Sequence, residues 1–162
     1  MRTRSLRTVV YLAAGLGLIA ALFAAAEVLD PGLASVCSVS SSISCSRVLT
    51  SGLTSTLGIP DFAWGVGGFV AILVAAGLAE QRPRDRGRAY ALLSLTSAGV
   101  ALALYLLYVE VAQIHAICPV CVTAYVLGGV AWAGAIGLVQ RQARAAAKAA
   151  AEPHEPAPEA DA

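Results

Sequence analysis

Four long apolar runs, at about residues 9–28, 62–79, 89–114 and 119–139, dominate the chain, and charged or turn-forming residues separate them. Each is close to or above the roughly 20 residues that a helix needs to cross a hydrocarbon layer of about 30 Å. None shows the short alternation of a membrane-barrel strand, which leaves helices as the spanning element. The pattern predicts an all-α integral membrane protein, a four-transmembrane-helix bundle with a long outer loop between the first two spans. Within that loop Val48, Leu49, Leu53 and Leu57 recur at helical spacing among polar residues, which predicts a short amphipathic helix lying at the interface. Residues 1–142 form the membrane domain and residues 143–162 an Ala/Pro/Glu-rich tail. Ala143 to Glu152 is expected to be a fraying helix, and Pro153 to Ala162 disordered.

Composition agrees with a lipid-embedded chain. Of 162 residues, 58% are hydrophobic and 13% charged, with a mean hydropathy of +0.74, whereas globular domains are about 45–50% apolar and about 25% charged. A net charge of +1, no dense basic run and few aromatics argue against a nucleic-acid partner. The placement of charge is more informative. Arg2, Arg4 and Arg7 precede the first span, Arg82, Arg84, Arg86 and Arg88 fill the second connection, and Arg141, Arg144 and Lys148 follow the fourth span. Ten of the eleven basic residues thus share one side of the bundle, and Arg47 alone lies on the other. The positive-inside rule then places both termini in the cytoplasm and the long first loop outside. A rival possibility makes Met1 to Glu27 a cleaved signal peptide, although its apolar stretch is long for that role. The loop stays outside either way.

All four cysteines, Cys37, Cys45, Cys118 and Cys121, fall at the outer face on this topology, where disulfides are permitted. Cys118-Pro119-Val120-Cys121 is a C-x-x-C motif that opens a helix, with Pro119 at a first helical position that needs no donor. Free first-turn N–H groups and the positive end of the macrodipole stabilise a thiolate there, and the thiolate is the nucleophile of disulfide exchange. Cys37 and Cys45 bracket a Ser-rich segment, a second pair able to collect electrons from a soluble protein and bend down to deliver them. A Cys₄ zinc site is disfavoured, because the seven residues between Cys37 and Cys45 exceed the usual ligand spacing, and no metal is expected. Two static disulfides are the plain structural alternative.

The order of these residues resembles the vitamin K epoxide reductase family. The resemblance rests on Cys37, seven residues, then Cys45-Ser46-Arg47-Val48, a hydroxyl at Ser51, and a later C-x-x-C opening the last span. The run Ile43-Ser44-Cys45-Ser46-Arg47-Val48 is similar to that of the animal members, and the likeness covers about residues 9 to 139. It implies that Cys118 and Cys121 are the active pair, with Cys121 facing a quinone. Cys45 would exchange with Cys118, and Cys37 would meet the external partner. It also implies that Asp61 and Tyr125 approach the two quinone oxygens and that Ser51 is the family's loop hydroxyl. Trp64 and Leu49 stand where animal members carry phenylalanine, which implies a differently shaped pocket.

The implied function is a membrane thiol-disulfide oxidoreductase that supports disulfide formation in exported proteins, with menaquinone, ubiquinone or a vitamin K-like naphthoquinone as electron acceptor. Many bacterial relatives carry a fused thioredoxin-like domain that is not seen here, so a separate thioredoxin-fold (DsbA-like) partner at the outer face is expected. The short Ala-rich chain suits a bacterial inner or plasma membrane. A DsbB-like oxidase is the nearest enzymatic alternative, but there the C-x-x-C lies in an earlier outer segment. A non-enzymatic membrane protein with structural disulfides is the other.

Several residues have simpler roles available. Asp61 can act as a helix N-cap, and Tyr125 as a bundle-facing tyrosine one turn beyond Cys121. Gly65, Gly67 and Gly68 suggest close helix packing. His115 is taken as an interfacial polar group, and Glu27 and Glu110 as solvated, with the bundle interior an alternative for Glu110.

Overall fold

A computed structural model describes residues 2–30, 37–38, 40, 42–52, 58–82 and 85–151. The helices are α1 (Arg2–Leu29), α2 (Cys45–Leu49), α3 (Asp61–Gln81), α4 (Arg86–Tyr108) and α5 (Pro119–Ala151), with a π-helical segment, Val109–Ile114, continuing α4. Four of them are long and apolar enough to cross a membrane, so the expected all-α bundle is what the chain forms. Each helix overruns its apolar run, because polar flanks extend it at little cost once the turns are nucleated. The clearest case is α5, which continues unbroken to Ala151, so no break marks the expected boundary at residue 142. Residues 152–162 lie outside the described residues.

The spans close into a ring in which α1 lies against α3 and α5, and α4 against α3 and α5. Val10, Ala14 and Ala21 of α1, Phe69, Ile72 and Ala76 of α3, Leu92 of α4 and Ala135 of α5 form the buried centre. Leu12, Leu16 and Ile19 of α1 point outward and are exposed. An apolar residue on either face is what a helix surrounded by lipid on one side and by protein on the other requires. Small residues decide which face is inward. A side chain at Gly134 would place its Cβ 2.6 Å from Val10 Cγ2, and one at Gly137 3.1 Å from Leu6 Cδ1, so α1 and α5 meet where α5 has no side chain. Gly65 does the same toward Ala21 of α1 at 3.2 Å, whereas Gly67 and Gly68 face open space. Only the first of these three glycines serves helix contact.

Polar ties hold the end that carries the basic residues. Glu80 accepts from the Tyr11 hydroxyl at 3.1 Å and lies 3.7 Å from the Arg7 guanidinium. Asp85 caps α4 by accepting from Gly87 N–H at 3.0 Å, and Arg88 donates to the Leu78 carbonyl at 2.6 Å. At mid-span, Trp132 Nε1 donates to Ser97 Oγ at 3.0 Å, joining α5 to α4.

The expected interfacial helix is present but short. α2 begins at Cys45 and ends at Leu49, while Leu53 and Leu57 lie outside the described residues. It packs against α1, α5 and the π segment rather than away from them.

Gly134→Val should lower the thermal midpoint in detergent, with a loss of about 1–3 kcal/mol typical of overpacking. Gly15→Ala is the contrast. Its added methyl meets nothing within 4 Å, so the midpoint should hold or rise.

Candidate functional site

One end of the bundle gathers all four cysteines into a second apolar cluster with Val48 and Ala116, flanked by Leu49, Ile114, Val120 and Tyr125. Two backbone hydrogen bonds assemble it. Ile117 N–H donates to the Ser42 carbonyl at 2.9 Å, and Ser44 N–H donates to the Ile117 carbonyl at 3.1 Å. Together they make a single parallel bridge between Ile43 and Ile117. The bridge fixes the residues just before Cys45 against the residue just before Cys118. Ser44 also caps α2, its hydroxyl accepting from Arg47 N–H at 3.3 Å, and lies 3.1 Å from the Ser38 hydroxyl.

The result is a chain of sulfurs. Cys37 is bonded to Cys45 and Cys118 to Cys121, with Cα–Cα distances of 5.6 and 5.2 Å. Between the two pairs, Cys45 Sγ lies 3.3 Å from Cys118 Sγ. No bending of the loop is needed to bring them together, unlike the mobile pair expected from the Ser-rich segment. Sulfur atoms of Cys37, Cys45 and Cys118 all lie within 4.8 Å of one another, a spacing that thiolates would need to hold a metal ion. Here all four sulfurs are engaged in the two disulfides.

The start of α5 behaves as its sequence predicts, with one refinement. Cys121 N–H donates to Cys118 Sγ at 3.2 Å. The sulfur of Cys118 thus occupies the place of an N-cap acceptor on a free first-turn donor. The helix terminus favours negative charge on Cys118 first.

Glu110 is the residue that sequence reasoning misplaced. It lies on the π segment and is 0% exposed. Its backbone carbonyl accepts from Ala116 N–H at 3.2 Å. Its Oε2 accepts from Cys118 N–H at 3.1 Å and its Oε1 from the Tyr125 hydroxyl at 2.8 Å. The chain returns from the π segment to Cys118 through His115, which adopts φ 53°, a left-handed conformation uncommon for a residue other than glycine. The His115 side chain itself is exposed. A carboxylate so near a membrane-spanning segment signals function by default, and that signal was available in the sequence. Glu27, also expected in water, is 3% exposed, and neither of its oxygens has a hydrogen-bond partner among the described residues.

Beside the cysteines a cavity of about 100 Å³ opens between α3, α4 and α5. Asp61, Trp64, Tyr125, Ala124, Thr96 and Leu106 are among its lining residues. Three of the expected pocket residues, Asp61, Trp64 and Tyr125, therefore come together. Asp61 is not the N-cap of α3, a place taken by Pro60, and sits in the first turn instead. Ser51 is not brought to the cavity. Its hydroxyl donates to the Val48 carbonyl at 2.8 Å, at the end of α2. Cys121 does not itself line the space, but Ala124 and Tyr125, three and four residues on, form its wall. Thr96 was not foreseen. Its hydroxyl is satisfied by the Leu92 carbonyl at 2.9 Å.

Four spanning helices with two cysteine pairs at one end, beside an apolar cavity, describe a multi-pass membrane protein equipped for thiol redox chemistry. The family model described as vitamin K epoxide reductase family matches residues 8–136, a range that holds all of these features. The chain belongs to the vitamin K epoxide reductase family and is a membrane oxidoreductase of that family.

Proposed function

We propose that the protein carries electrons from a separate thioredoxin-fold partner, through Cys37 and Cys45 and then Cys118 and Cys121, to a lipid-soluble quinone, and so supports disulfide formation in exported proteins. The observation that carries this is the 3.3 Å approach of Cys45 Sγ to Cys118 Sγ between two bonded pairs. Disulfide exchange needs a thiolate in contact with one sulfur of the bond it attacks, and here contact exists before reduction begins.

A partner thiolate attacks Cys37, and Cys45 leaves as thiolate. The partner's second thiol resolves that mixed disulfide. Cys45 then attacks Cys118, breaking the Cys118–Cys121 bond and freeing Cys121. Cys37 attacks Cys45 in turn, and Cys118 leaves. The Cys121 N–H that already points at Cys118 Sγ makes Cys118 the better leaving group in this last step. Two electrons have then moved inward.

The cavity residues suit a quinone. Apolar walls accept a ring, Tyr125 and Asp61 offer polar contacts for its two oxygens, and the exposed Trp64 and Gly99 form the rim. An apolar cavity of about 150 Å³ holds a benzene ring, so in a space of about 100 Å³ a bicyclic ring must lie partly at that open rim. Bound there, the quinone would accept two electrons and two protons, and menaquinone, ubiquinone and a vitamin K-like naphthoquinone all supply this chemistry. The distribution of Lys and Arg supports both termini inside and the cysteines outside, and the short Ala-rich chain suits a bacterial plasma membrane.

Three measurements test this. The detergent-purified protein should reduce a quinone at the expense of a dithiol, and Cys121→Ala should abolish turnover and accumulate a Cys45–Cys118 disulfide. Loss of thermal stability alone would favour a structural role for the cysteines. In a Cys37→Ala, Cys121→Ala chain given oxidised glutathione as the two-electron acceptor, Cys45 and Cys118 should form a disulfide with each other, read by peptide mapping without reduction. Adding Ser44→Pro, which removes the N–H bound to Ile117, should slow that reaction about tenfold, equivalent to about 1.4 kcal/mol, the order of one or two net hydrogen bonds. In reduced whole cells, a membrane-impermeant thiol reagent should label Cys37. Labelling only after lysis would reverse the topology.

A further inference from the structure

We infer that Glu110 holds one of the two protons that quinone reduction consumes, taking it up when the Cys118–Cys121 pair is reduced and releasing it through Tyr125. The inference rests on the relay proposed above. Its basis is geometric. Glu110 is fully buried and its two oxygens face different parts of the machinery, Oε2 toward Cys118 N–H at 3.1 Å and Oε1 toward the Tyr125 hydroxyl at 2.8 Å. Tyr125 lines the cavity and Cys118 is the inner sulfur that faces the loop, so one carboxyl joins the backbone of the residue that carries that sulfur to the cavity wall. Among the described residues no Lys or Arg forms an ion pair with it, and Asp61 faces the same cavity from α3.

In the oxidised pair the sulfurs carry no charge, and two donors satisfy a Glu110 carboxylate. Reduction changes the balance. The Cys121 N–H and the helix start favour a Cys118 thiolate, and a thiolate next to a carboxylate in an enclosed apolar site is a like-charge pair that does not persist. Transfer of the thiol proton to the carboxylate gives a thiolate and a neutral carboxylic acid, with no net change in protons. When the Cys118–Cys121 bond re-forms, its two electrons pass to the quinone. One proton leaves the Cys121 thiol. The other leaves Glu110 as Tyr125 gives its hydroxyl proton to the acceptor and takes the Glu110 proton in exchange. Glu110 touches no quinone atom in this scheme and acts through Tyr125 as a positioning and proton-holding residue.

The test uses the full-length protein in detergent, freed of quinone, and records an infrared difference spectrum on reduction by a dithiol. Reduction should create a protonated-carboxyl band in wild type that is absent in Glu110→Gln. With quinone added, Glu110→Gln should keep the rate of cysteine-pair reduction, followed by thiol alkylation. It should reoxidise the pair roughly 100-fold more slowly, the lower end of what a positioned acid contributes, and Glu110→Asp should recover part of that loss. The idea is overturned if no carboxyl band appears, if the band survives in Glu110→Gln, or if that variant slows both half-reactions equally. A wild-type band without any quinone reduction would instead overturn the quinone relay and leave the proton-holding site standing.

Discussion

The Ile43–Ile117 bridge is the contact on which the sulfur geometry depends. The four spans can bring the start of α5 to one end of the bundle, but they cannot dictate where a loop of thirty or so residues puts its cysteines. Two backbone hydrogen bonds do so. Each is worth about 1 kcal/mol net, and the bridge lies at the exposed edge of the buried cysteine cluster. Ser44 concentrates the effect. Its N–H holds Ile117 while its hydroxyl starts α2 at Cys45, so the residue that docks the loop also sets the direction of the first helical side chain, the sulfur that meets Cys118.

The π segment solves a second problem. A helix that ended in the ordinary way at Tyr108 would have to satisfy its last carbonyls and still turn the chain back toward the bundle within a few residues. Widening the turn over Val109–Ile114 and passing through His115 in the left-handed region completes the return by Ala116, whose N–H bonds back to Glu110. Such segments are rare and frequently found at functional sites. Here the gain is a carboxyl delivered to the first residue of the C-x-x-C. Burying that carboxyl without donors would be costly, and the Cys118 N–H and Tyr125 hydroxyl offset the loss.

The legible part of the sequence was the part set by solvent. Apolar runs of about 20 residues specify spans because lipid leaves the backbone no other choice, and the C-x-x-C at the head of the last span specifies its own local geometry. Burial of individual polar residues was harder to read, because every face of a spanning helix is apolar in composition. Glu110 and Glu27 sit near span ends, where water is the simple expectation, and both are enclosed. For Glu110 the enclosing contacts join the start of α5 to a π turn, and a π turn leaves no periodic mark in the sequence. Likewise nothing in the run of small residues in α5 says that Gly134 and Gly137, rather than Gly128 and Gly129, meet α1. Ser51, placed by its match to the family's loop hydroxyl, donates to the Val48 carbonyl at the end of α2.

Exposure along the sulfur chain follows a pattern that fits the proposed direction of transfer. Cys37 is 8% exposed, Cys45 and Cys118 are both 0%, and Cys121 is 5%. The two sulfurs of the middle exchange are sealed, while the outermost and innermost keep some access, one in the loop and one a turn away from the cavity wall. Thiolates react with whatever electrophile reaches them. A relay made of exposed thiols would lose electrons to small oxidants before they reached the membrane acceptor. By enclosing the middle exchange in an apolar cluster, the fold restricts the thiolates of the proposed relay to sulfur partners within the cluster and keeps small oxidants from them, while the direction of net transfer is left to the potentials of the pairs.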